Sequence, residues 1–69
     1  MIRREPLKEA RRTAGLTAVR CAELAGTTEP RLYQLERQRF RPRREEAHRL
    51  SEVLNVPVEM LFPNGVQEW

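Results

Sequence analysis

The sequence predicts an all-α domain of five short helices. Apolar residues make up 39% of the 69 positions, yet only two Phe, one Tyr and one Trp are among them, so the core must come from Leu, Val and Ala in close contact. Those residues recur at helical spacing. Gly, Pro and Thr, which stop and start helices, stand between the periodic stretches. A chain this short has room for one small core, so positions 1–69 read as a single domain with its core over 6–62 and a tail over 63–69.

The first helix, over 6–14, opens on Pro6, which suits a first helical turn, and spaces Leu7, Ala10 and Ala14 along one side before Gly15 stops it. Thr17 caps the second helix, AVRCAELA, which turns Cys21, Ala22 and Ala25 to one side and ends at Gly26. After the link GTT a third helix reaches about Arg37, with Leu32 and Leu35 as its inward pair. Its start has two readings. Thr28 can cap it, placing Pro30 in the first turn where a missing N–H costs no internal bond, or Glu29 can cap it, because a residue before Pro resists helical dihedrals.

Pro42 then breaks the pattern within QRFRPRR, a loop holding four Arg in six residues. A fourth helix, roughly 43–54, turns Ala47, Leu50, Ser51 and Leu54 inward and stops at Asn55. The fifth starts at Pro57 and carries Val58, Leu61 and Phe62. The tail PNGVQEW contains the turn signal Asn64-Gly65.

Thirteen basic residues against ten Glu leave a formal charge of +3, and the two signs are unevenly placed. Residues 1–49 carry +6, whereas residues 50–69 contain Glu52, Glu59 and Glu68 with no cation and carry −3. One end should therefore attract polyanions. Twelve of the thirteen cations are Arg, whose planar fork binds phosphate bidentately, although a GC-rich genome accounts for that bias equally well. A lone Cys21 and a lone His48 supply neither a disulfide nor a metal site, and no nucleophile–base pair or carboxylate cluster points to catalysis. No cofactor and no small-molecule substrate is expected. With no apolar run near the roughly 20 residues of a membrane helix, and no apolar leader after MIRRE, a soluble cytoplasmic protein without a membrane partner is expected.

Two short helices joined by a tight Gly-containing turn, the second with an exposed polar face, describe a helix-turn-helix. Together LKEAR, GLT, CAELAGTT, LYQLERQ, the Pro42 loop and HRLSEVLNVPVEMLF make the chain from Leu7 to Phe62 resemble the Cro and lambda-repressor family of DNA-binding domains. The resemblance implies a positioning helix at 17–25 and a recognition helix at 28–37 that enters the major groove. It also implies an ion pair between Arg11 and Glu36, joining the first and third helices. Three positions depart from the family pattern. Ala18 replaces a phosphate-holding Gln, Gln38 replaces a helix-ending Gly, and Arg44 replaces a buried Leu whose volume Phe40 can fill by turning inward. Cys21 takes the place of a core Leu.

On the third helix Pro30, Gln34 and Arg37 fall opposite Leu32 and Leu35, with Tyr33 beside them. Candidate base contacts are Glu29, Pro30, Tyr33 and Gln34. Gln34 suits the adenine edge, Pro30 a thymine methyl and Glu29 cytosine N4, or else Glu29 merely complements the helix dipole. Candidate phosphate contacts are Arg31, Arg37, Arg39, Arg41 and Arg43, with Thr17, Thr27 and Thr28 at the two helix N-termini. Val56, Pro57, Val58, Met60 and Phe62 lie where family members pair, or they close the monomer's own core. Val66 and Trp69 either extend that contact or are disordered.

The leading expectation is a sequence-specific transcriptional regulator of the small phage-repressor type, a homodimer on a palindromic site in double-stranded DNA. A protein-interaction module, such as an antitoxin or adaptor subunit, and a nonspecific DNA binder are the alternatives.

Overall fold

A computed structural model describes residues 5–39 and 41–67, which form five helices and, among the described residues, no strand. Helix α1 spans Pro6–Thr13, and its stop is local. Gly15 takes φ 74°, a left-handed conformation that only Gly adopts without strain, and the next amide, Leu16 N, returns to Arg11 O at 3.1 Å. Helix α2 spans Ala18–Ala25, and Thr17 Oγ1 accepts from Arg20 N at 3.1 Å to close its first turn. Gly26 ends it at φ 69°, while the Thr27 amide returns to Ala22 O at 2.9 Å.

Helix α3 spans Glu29–Glu36, and the open question of its start is answered by Thr28, whose Oγ1 accepts from Arg31 N at 3.3 Å. Pro30 is thus the second helical residue. At the other end Gln38 has φ 59°, so a non-glycine residue carries the left-handed strain where relatives of the resembled family place Gly. Helix α4 spans Arg44–Leu54 and stops at Asn55 with φ 56°. Ser51 Oγ donates to Val56 O at 2.7 Å, tying that stop to the start of α5, Val58–Leu61.

The core forms where the Ala-rich side of α2 lets its neighbours approach. Ala18, Ala22 and Ala25 are buried with Cys21 against Leu32 and Leu35 of α3, and Leu50 and Leu54 of α4. Leu7, Leu61 and Phe62 close the cluster from α1 and the end of α5. Each fully buried Leu contributes roughly 1.5–3 kcal/mol of transfer free energy, so few can be lost from a domain this small. Burial pushes the Cys21 thiol pKa up, consistent with packing rather than reactivity.

Two residues of these segments are buried in the core. Phe62, a candidate for the subunit interface, is only 7% exposed and belongs to the monomer's core, which Val56, Val58 and Val66 also flank. Apolar area is scarce in 69 residues, so the ring is spent on the monomer's own core. Pro42, read from the sequence only as a helix breaker, is fully buried and fills space beneath the Arg-rich loop. Phe40 and Trp69, for which packing roles were expected, lie outside the described residues.

Arg11 on α1 and Glu36 on α3 are both buried, and Arg11 Nε donates to Glu36 Oε2 at 2.6 Å. A second donor, Arg11 Nη1, reaches Leu16 O at 3.1 Å in the α1–α2 turn. Removing one partner strands a buried charge, which costs about 3–5 kcal/mol. Glu36→Gln is expected to lower the urea midpoint by an amount equivalent to that loss, or to unfold the domain. Joint replacement by Arg11→Met and Glu36→Leu should restore most of it. An unchanged midpoint in Glu36→Gln would show that the pair is not held in a dry interior.

Candidate nucleic-acid interface

The roll of α3 about its own axis decides what it presents. Leu32, Leu35 and Glu36 are buried on one side, and this leaves Pro30, Tyr33, Gln34 and Arg37 exposed on the other. Glu29 is half-buried at the first helical position, where a carboxylate is favoured by the N-terminal end of the helix dipole. Tyr33 Oη donates to Glu29 Oε2 at 3.0 Å across one turn. This bond holds the Tyr33 phenol pKa above its ordinary value. It also aims the Glu29 carboxylate. Gln34 stands one residue further round, its amide making no hydrogen bond among the described residues.

Beyond the C-terminal end of α3, Arg37, Arg39, Arg41 and Arg43 are all exposed, and none forms an ion pair among the described residues. Four exposed guanidinium groups on and after a polar helix face suit a polyanion. Arg31, by contrast, is ion-paired. Its Nε and Nη2 donate to Glu46 Oε2 and Oε1 at 2.9 and 2.7 Å, a bidentate clamp between α3 and α4. The pair makes Arg31 a brace between the two helices. Glu46 Oε1 also accepts from the Arg43 amide at 2.9 Å, so one carboxylate holds both α3 and the start of α4.

The threonines divide by task. Thr17 and Thr28 are exposed caps whose oxygens accept from helix amides, leaving the hydroxyl proton to donate outward. Thr27 is half-buried in the turn. One further cation borders this turn that sequence reasoning missed. Arg49 Nη1 lies 3.0 Å from where a side chain on Gly26 would begin, so the guanidinium covers the glycine of the α2–α3 turn. Its position one turn after Glu46 on α4 is the signal that could have identified it.

Residues 5–61 match the family described as Helix-turn-helix domain. The chain belongs to this helix-turn-helix DNA-binding family. The match takes in all five helices, from the residue before α1 to the last of α5, and α2 and α3 form its two-helix unit. A search of curated proteins finds no match. Among the described residues no helix is long and apolar enough to cross a membrane, and no group of His, Cys and acidic residues is placed to hold a metal ion.

Glu46 supplies a pH test of the brace. The Arg31 hydrogen bond, then the Arg43 amide, hold its carboxyl below the ordinary Glu range. A depressed folded pKa contributes stability above the unfolded value, near 4.3, and that contribution is lost as pH falls through the folded value. The melting temperatures of the native protein and Glu46→Gln should differ at pH 7 and converge below about pH 4. A gap that stays constant down to pH 2 would mean that Glu46 is not bound as a carboxylate.

Proposed function

We propose that this protein is a sequence-specific transcriptional regulator of the Cro and lambda-repressor type, which lays α3 in the major groove of double-stranded DNA. The reading rests on an exposed Gln34 side chain without a hydrogen bond, followed along the chain by four exposed arginines, at 37, 39, 41 and 43, without an ion pair, among the described residues. Gln34 presents a donor and an acceptor together, the combination that matches adenine N6 and N7. Pro30 offers apolar surface to a thymine methyl group. Glu29, steadied by Tyr33, accepts from cytosine N4 and repels positions that offer only acceptors.

Arg37, Arg39, Arg41 and Arg43 grip phosphates, which fixes register and supplies the salt-dependent part of the affinity. Thr17, Thr27 and Thr28 add contacts where the N-termini of α2 and α3 favour an anion. Arg31, which also braces Glu46, completes this set.

The domain, spanning 1–69, acts in the cytoplasm as a homodimer on a palindromic operator. Met60, 63% exposed, and the exposed Pro57 form the centre of the pairing surface, with Val56 and Val58 at its edge. This surface lies in the part of the sequence without cations, which suits a place away from the phosphates. Two subunits joined there set their recognition helices about 34 Å apart, one turn of the duplex.

Selection of bound duplexes from a random pool tests the reading directly. A palindromic consensus is expected. Recovery of random sequence would instead make the protein a nonspecific binder, and no recovery would favour a protein partner. Gln34→Ala should cost about 1–3 kcal/mol on the consensus and relax preference at one position per half-site, whereas equal weakening on every duplex would remove Gln34 from base reading. Met60→Glu should sediment as a monomer, and a persisting dimer would place the subunit contact elsewhere.

A further inference from the structure

The loop between α3 and α4 carries the arginines; at its near end Gln38 N and Arg39 N return to Leu35 O and Gln34 O at 3.1 and 3.3 Å, and further on Pro42 is buried. Pro42 has no amide to donate, and the chain there follows a left-handed residue, Gln38. The bonds that hold its far half come from the tail. Gln67 Nε2 donates to Arg41 O at 2.8 Å, and Gln67 N donates to Pro42 O at 2.9 Å. Asn64 Nδ2 reaches Gln38 Oε1 at 3.4 Å, a weaker contact at the near end.

The tail is aimed at the loop by a turn of its own. Gly65 N returns to Phe62 O at 2.9 Å with Gly65 at φ 89°, which reverses the chain after α5. Val66 then packs against the core, and this places Gln67 over the loop. From the other side the Arg43 amide is held by Glu46 at 2.9 Å. The segment from Arg41 to Arg43 is thus fastened at both ends, by α4 and by the tail.

We propose that residues 63–67 form a strap in which Gln67 is a positioning residue, holding the arginine loop in the conformation that meets DNA phosphates. This rests on the DNA-binding reading above. A loop ordered in advance loses less conformational freedom on binding, so the strap raises affinity without touching the duplex. Phosphate contacts carry no sequence information, and its effect is therefore equal on cognate and random DNA.

Gln67→Pro removes both donors, and Gln67→Ala removes only the side-chain one. In the full-length protein without DNA, the amide order parameter of Arg41 is expected to fall from near 0.85 toward 0.6 or below in Gln67→Pro, with α3 unchanged. Gln67→Ala should be intermediate. Dissociation constants for the selected duplex and a scrambled one should rise together by roughly tenfold, within the usual range of coupling between sites. An Arg41 amide as rigid in both variants as in the native chain overturns the strap. So does a loss confined to the selected duplex. If the native protein binds neither duplex, the DNA-binding reading fails by that result, and the role assigned to Gln67 in meeting phosphates fails with it. The order parameters then still report whether the tail holds the loop.

Discussion

The contact between Arg11 and Glu36 is the constraint on which the rest of the molecule depends. Helix α3 has only Leu32 and Leu35 as large apolar anchors, and two leucines three residues apart leave its roll loosely determined. The buried carboxylate of Glu36 removes that freedom. To stay paired with a guanidinium that also bonds Leu16 O, α3 must turn Glu36 toward α1, and the opposite side, with Pro30, Gln34 and Arg37, must then face outward. Such a pair adds little net stability compared with an apolar replacement. Its physical contribution is orientation, because a charge left unpaired in the core penalises every other roll of the helix.

A second ion pair, between Arg31 and Glu46, does for the start of α3 what the first does near its end. It fastens the first turn of the helix to α4, and its carboxylate also receives the Arg43 amide at the edge of the arginine loop. Helix α3 is therefore braced at both ends. The remaining cations of the region are spread from the end of α3 along the loop that follows it. Positive charge alone would attract DNA but would not set a register. Register requires the braces.

Much of this was legible in the sequence because its causes are local. Pro6, Thr17, Gly26 and Asn55 mark helix ends by the dihedrals and hydrogen bonds that their own atoms allow, and the structure places helix ends beside each of them. The inward leucines followed from spacing. The Arg11–Glu36 pair was anticipated only through resemblance, since nothing in either residue's neighbourhood names the other. What stayed hidden was long-range. Arg31 looks like any basic residue beside a recognition face until folding brings Glu46 to it, and Gln67 looks like an idle tail residue until the turn at Gly65 carries it back over Pro42. The start of α3 was ambiguous for a different reason. Thr28 and Glu29 are both adequate caps, and Pro30 argues for each by a separate effect.

The proposed place of DNA is the outward side of α3, with the arginine loop beside it. Titrating the isotopically labelled protein with a short duplex at low salt, and following every backbone amide by NMR, tests it most directly. The largest shifts are expected on residues 28–37 and on Arg39, Arg41 and Arg43, with α5 little changed. Shifts concentrated on α5 or on the outer side of α4, or a spectrum that DNA leaves untouched, would contradict it.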